Sequence, residues 1–119
     1  MKCLNIAGKG KLCVLQHTGE LTLETIPEVK KQTEPYMDND EIQMLVIDLS
    51  KTTFLDSSGI GLLVHVNNRM RSREKKLYLF NLSPQVKKSL SLVRLLDFFN
   101  ILEDETALES LVQGESEQS

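Results

Sequence analysis

Long apolar runs, a basic excess and paired metal ligands are all missing from this 119-residue chain. The longest clear apolar run, Met44 to Ile47, is far too short to cross a bilayer. The opening residues, MKCLNIAGKGKL, contain nothing that reads as a signal peptide. A soluble, cytoplasmic protein with no membrane association is the expectation. Lysine and arginine number 14 against 17 acidic residues, a net charge of −3. That balance argues against general nucleic-acid binding, which needs a basic face. The one basic stretch, Arg69, Arg71, Arg73, Lys75 and Lys76, reads as the end of a helix, where cations meet the negative end of the dipole.

The chain has two cysteines, Cys3 and Cys13, and two histidines, His17 and His65. There is no Cys-x-x-Cys and no histidine beside either cysteine, so no metal site and no cofactor are expected. Both cysteines fall in strand-like surroundings. Two reduced, packed thiols are the favoured reading over a cross-strand disulfide.

What is present fits one compact domain over residues 1–113 with a polar, disordered tail at 114–119. Strands are predicted at Cys3 to Ile6 and Leu12 to Gln16, joined by a hairpin turn at Gly8-Lys9-Gly10. Gly19-Glu20-Leu21 reads as a connection. Ile26 to about Glu34 reads as a helix capped by Thr25 and ended or kinked by Pro35. Met44 to Leu49 is the strongest strand signal, a mostly apolar run suited to burial on both faces. Ser50 to Leu55 reads as a connection anchored by Phe54.

A helix follows from Ser58 to about Arg73, then a strand from Lys76 to Phe80. Pro84 opens the next helix behind a Ser83 cap. A short strand at Phe98 to Leu102 and a helix at Thr106 to Val112 complete the pattern. Strands alternating with helices predict an α/β domain whose later strands are mostly parallel.

The chemistry concentrates where the buried strand leads into Phe54-Leu55-Asp56-Ser57-Ser58-Gly59-Ile60-Gly61. In open α/β sheets, sites favour the ends of strands and the starts of helices. The first amides of a helix lack internal partners, so Asp56 or Ser57 can cap them. The same amides and the dipole favour an added anion. Gly59 and Gly61 are expected to leave the first turn bare for close approach by a partner. On the following helix Ile60, Leu63, Val64 and Met70 read as core. Leu62, Val66 and Arg69 form a neighbouring stripe that reads either as packing or as a partner surface beside Ser57.

At these residues the chain resembles the STAS family, specifically its anti-anti-sigma factors (anti-sigma factor antagonists). The resemblance includes Gly19-Glu20-Leu21, Val46-Ile47-Asp48-Leu49, the Asp56-Ser57-Ser58-Gly59 motif and Leu82-Ser83-Pro84-Gln85-Val86-Lys87-Lys88. It implies the STAS fold, a small mixed sheet of four to five strands with about four helices. It implies a regulatory protein rather than an enzyme, with Ser57 as phosphoacceptor and Ser58 as the secondary candidate. The implied partners are an anti-sigma factor serine kinase, which binds the unmodified form, and a metal-dependent serine phosphatase, which resets it. A monomer is expected when free. Two positions depart from the family pattern: Thr22, expected with Leu62, Val66 and Arg69 at the partner interface, stands where an aspartate is frequent, and Arg94 stands near a frequent glycine. An arginine there would tolerate positive φ poorly.

The competing readings are weaker. A serine hydrolase needs a base within reach of Ser57, and there is no Gly-x-Ser-x-Gly elbow. A nucleotide site at Ser58-Gly59-Ile60-Gly61 lacks the Walker lysine. A STAS module that only scaffolds a transporter or signalling assembly shares the fold and stays open.

Overall fold

The structure is a computed structural model in which the described residues are 2–6 and 10–113. Its elements run β1 (Lys2–Ile6), β2 (Gly10–Leu21), α1 (Ile26–Asp38), β3 (Ile42–Leu55), α2 (Ser57–Ser72), β4 (Lys76–Phe80), α3 (Pro84–Leu92), β5 (Asn100–Leu102) and α4 (Glu105–Val112). The five strands form one sheet in the order β1-β2-β3-β4-β5. β1 pairs antiparallel with β2, and every later pair is parallel. This is the mixed sheet with four helices that the strand–helix alternation predicts. The predicted turn at Gly8-Lys9 and the tail at 114–119 lie outside the described residues.

Period-two alternation sorts the strands into two cores. Leu45, Ile47 and Leu49 of β3 join Leu77 and Leu79 of β4 in one cluster with α1, α2 and α3, through residues such as Val29, Leu63, Met70 and Leu90. Met44 and Val46 face the other way, with Tyr78, Phe80, Leu12 and Ile6, and are covered by Leu108 and Leu111 of α4. Three helices thus cover one face, and one short helix covers part of the other.

Several elements are longer than expected. β3 continues through residues 50–55 instead of ending at Leu49, because β2 also continues to Leu21 and pairs with it, Thr18 with Lys51 and Leu21 with Leu55. Gly19, at φ 94°, lies in this irregular stretch of β2 rather than in a connection. Phe54 is not an anchor: it is 51% exposed, while Leu55 is buried. α1 runs through Pro35 to Asp38. Pro35 is exposed, and the buried Thr33 and Met37 on either side hold the helix to the core. Thr25 does not cap α1 through its side chain.

The basic stretch fastens two helix ends together. The buried Lys75 ammonium donates to the carbonyls of Met37 (3.0 Å) and Asn39 (2.7 Å), satisfying the C-terminal end of α1. Burial, then the charge of Arg73, pulls the Lys75 ammonium below its ordinary value, against the opposing pull of Asp40 and Asp38. Arg69 and Arg73 pair with Asp38 at 2.8 and 3.6 Å, and Arg73 reaches Asp40 at 2.9 Å.

Arg94 does adopt the left-handed conformation, at φ 60°. The Leu95 amide donates to the Leu90 carbonyl (2.9 Å) and the Arg94 amide to Ser91 (3.0 Å), a Schellman closure of α3 without its usual glycine. Glu74 ends α2 the same way, also at φ 60°. Replacing Arg94→Gly is expected to raise stability by up to about 1 kcal/mol, the difference between the left-handed strain and the entropy that glycine loses. Urea titration reads it.

The cysteines are not free. Cys3 and Cys13 are directly opposed in the β1–β2 register and are joined by a disulfide. The antiparallel register brings their Cα atoms to 4.0 Å, which the separate strand readings had no means to show. Reduction is expected to lower unfolding stability by about 2 to 3 kcal/mol, the loop-closure value for so short a loop. Full unfolding is not expected, because β1 keeps five register pairs and buries Ile6. Melting with and without a thiol reductant measures the difference.

Candidate functional site

The parallel strands β2 and β3 finish side by side at Leu21 and Leu55. One residue later Asp56 leaves the sheet and caps α2. Its Oδ1 accepts from the Gly59 amide at 2.8 Å. Its Oδ2 accepts from the Leu23 amide at 3.2 Å, and its own amide donates to the Leu21 carbonyl at 3.3 Å. One aspartate therefore holds the first turn of α2 and the β2–α1 loop together. Thr25 closes that loop from the other side. Its Oγ1 accepts from the Thr22 amide (3.0 Å) and lies 3.1 Å from both the Glu20 and the Thr22 carbonyls, which share its one proton. Thr22 is half-buried and contributes through its backbone.

With Asp56 as the cap, Ser57 is released from that duty. It is the first residue of α2, it is exposed, and its hydroxyl has no hydrogen-bond partner among the described residues. Ser58 is half-buried in a shallow cleft with Ile26, Lys30, Gly61, Leu62 and His65. An exposed hydroxyl at the amino end of a 16-residue helix lies where the dipole favours a new negative charge.

The two glycines differ. Gly59 is buried, and a Cβ built on it would fall onto the Leu21 carbonyl oxygen and meet Leu55 Cδ1 at 2.8 Å. It serves the close crossing of β2 and α2, not access by a partner, which corrects the expectation from the sequence. Gly61 is exposed, and a Cβ there would meet nothing within 4 Å.

The neighbouring stripe on α2 also needs correcting. Leu62 and Val66 are 4% and 0% exposed and pack in the main core, so they offer no surface to a partner. The buried face of α2 centres on Gly59, Leu62, Leu63, Val66, Asn67 and Met70, while Ile60 and Val64 are only half-buried at its margin. Packing against α1 as well as against the sheet widens the apolar arc of α2 beyond one stripe. Arg69 is bound to Asp38 at the far end of α2, about 18 Å along the axis from Ser57. Two other apolar residues in this region are exposed. Leu23 is 69% exposed beside Asp56, and Phe54 is 51% exposed three residues before Ser57. Leu23 carries a faint signal, a lone leucine between Thr22 and Glu24 outside any periodic pattern.

Neither histidine is placed as a base for Ser57. His65 lies eight residues on in the same helix, about 12 Å away along the axis. His17 precedes Leu21 by four strand residues, about 13 Å, and its Nε2 is engaged with the Glu20 carbonyl at 2.8 Å. Among the described residues no group of three or more potential ligands is placed to hold a metal ion. Among the described residues no helix is long and apolar enough to cross a membrane.

Two substitutions separate the roles of the glycines. Gly59→Ala is expected to destabilise by about 1 to 3 kcal/mol by forcing β2 and α2 apart. Gly61→Ala is expected to be neutral or to stabilise by up to about 1 kcal/mol. Chemical denaturation of both proteins checks the contrast.

A family model described as STAS domain matches residues 4–108. The anti-sigma-B factor antagonist of Listeria monocytogenes is 34% identical over 83 residues, covering 70% of this chain and 72% of that protein. Among solved structures, the anti-sigma factor antagonist SpoIIAA in its unphosphorylated form superposes with a TM-score of 0.69 at 18% identity, over 92% of this chain and 94% of that one. The STAS domain of a SulP transporter from Vibrio cholerae gives a TM-score of 0.62 at 19% identity, over 85% and 80% of the two chains. The two structural likenesses show the shared fold.

Proposed function

The chain belongs to the STAS domain family, and on that footing we propose that it is an anti-sigma factor antagonist switched by phosphorylation of Ser57. In this reading the unmodified protein binds an anti-sigma factor that is also its serine kinase. Phosphate on Ser57 releases the pair, and a metal-dependent serine phosphatase restores the binding form. The observation that carries the reading is the division of labour at the start of α2: Asp56 does the capping and Ser57 stands exposed and unbonded. The similarity to the Listeria antagonist supports the class of partner. The exposed Leu23, whose amide bonds Asp56, offers apolar contact near the start of α2.

The energetics favour a switch of binding rather than of folding. A phosphoserine adds roughly −1.5 to −2 charges. Roughly 5 Å from Asp56 in water, the repulsion is about 1 to 2 kcal/mol. The helix end returns about 0.3 to 1 kcal/mol. The remainder is small against a domain stability of roughly 5 to 15 kcal/mol. At an interface that covers Ser57, an unpaired buried charge costs about 3 to 5 kcal/mol, which is roughly a hundredfold to a few thousandfold in affinity.

The cytoplasm is the compartment this reading requires. Thiols there are generally kept reduced. The switch must therefore work with Cys3 and Cys13 in the dithiol form, which leaves the Asp56 junction, at the opposite end of β2, intact.

The test uses Ser57→Ala and Ser57→Asp proteins as baits. The alanine form is expected to retain an anti-sigma factor with a serine-kinase domain, and the aspartate form to lose it. Incubation of the wild type with that partner and ATP should place one phosphate on the peptide containing Ser57. The aspartate protein should keep a melting temperature within a few degrees of wild type, given the roughly 1 kcal/mol at stake. Equal retention by both baits overturns the proposal.

A further inference from the structure

The second face of the sheet carries a feature unrelated to Ser57. α4 has eight residues and covers only part of that face. Beside it lies an open cleft of about 320 Å³, within the size range of small-molecule sites. Its walls are apolar: Leu4 of β1, Val14 of β2, Phe80 of β4, and Leu108 and Val112 of α4.

Three carboxylates also line it. Asp48 comes from β3, where it is the single charged residue in the run Met44 to Leu49. Its Oδ2 accepts from Gln16 Nε2 at 3.1 Å and its Oδ1 from the Ser50 amide at 2.9 Å. Each oxygen keeps capacity for a further donor. Glu105 and Glu109 stand one turn apart on α4, an arrangement of like charges that costs the helix a few tenths of a kcal/mol. None of the three has an ion-pair partner among the described residues.

We propose that this cleft is a binding site for a small organic cation with an apolar body, an alkyl- or arylammonium compound. The walls take the hydrocarbon, and the three carboxylates take the ammonium and exclude an anionic counterpart. The charge pattern also discriminates against other occupants. Residues 114–119, which follow Gln113 at the rim, include Glu115 and Glu117 and no cation. A second copy of the chain brings a net charge of −3. The site is independent of the Ser57 switch and stands or falls separately from it.

The probe is hexylammonium chloride, titrated into the isotopically labelled full chain and followed by amide chemical shifts. Hexanol and hexanoate serve as neutral and anionic controls. Saturable shifts at Val14, Phe80 and Leu108 are expected with hexylammonium, with hexanol at least about tenfold weaker and hexanoate weaker still. The exposed pair change E105Q/E109Q should weaken hexylammonium about tenfold while leaving the dispersed spectrum of the folded chain unchanged. Asp48→Asn should weaken it independently. Three results each overturn the proposal: hexanol binding as tightly as hexylammonium, shifts gathered at other acidic surface such as Asp38 and Asp40, or no saturable shift.

Discussion

The structure depends most on how β2 leaves the sheet beside the start of α2. The Leu21 carbonyl lies so close to α2 that only a glycine fits at position 59, and the same carbonyl accepts the Asp56 amide. Asp56 then spends both carboxylate oxygens on backbone amides, one in α2 and one in the β2–α1 loop. Two neighbouring parallel strands and the two helices that follow them are joined at a single residue. An aspartate is suited to this because its two oxygens diverge, whereas a serine at the same place offers one.

That junction lets an exposed hydroxyl sit at the amino end of a structural helix, as the proposed switch requires. If Ser57 were the cap, adding phosphate would remove the cap and disturb the first turn. With Asp56 as the cap, Ser57 is a surface residue, and its modification changes charge without breaking a native hydrogen bond. The buried Gly59, Leu62, Leu63 and Val66 behind it seat the helix without help from the Ser57 hydroxyl. The far end is pinned independently, by Lys75 on the carbonyls of α1 and by the arginine–aspartate pairs. The exposed pairs contribute little each, at most about 1 kcal/mol. The buried ammonium matters more, since removing it would leave the Met37 and Asn39 carbonyls without that donor.

The two faces of the sheet are used differently. The face under α1, α2 and α3 is closed, and its chemistry lies at the edge, where strands end and helices begin. The other face is covered in part by α4, which leaves a cleft with an acidic lining on the opposite side from Ser57. STAS domains with quite different attachments share this frame, as the likeness to a transporter's domain illustrates. Both proposals therefore rest on the residues at the edge and in the cleft rather than on the frame.

The linear sequence by itself determined the element types and their order. Val46-Ile47-Asp48-Leu49, Leu77 to Phe80 and the Ser83-Pro84 helix start each declare their conformation through local rules: β-favouring runs, strand alternation, and a cap followed by proline. It also marked Asp56 to Gly61 as the chemical segment, because the order strand, capping aspartate, hydroxyls and glycines is local. What needed the tertiary structure was every property that depends on a second segment. Residues 50–55 become strand because β2 extends to pair with them. α1 passes Pro35 because Thr33 and Met37 are held in the core. Leu62 and Val66 are buried because α1 covers them, and Cys3 meets Cys13 because the antiparallel register opposes them. The choice between Asp56 and Ser57 as cap belongs here too. Local pattern allowed either, and the loop amide of Leu23, 33 residues away in sequence, gives the aspartate a second bond that ties the cap to the rest of the fold.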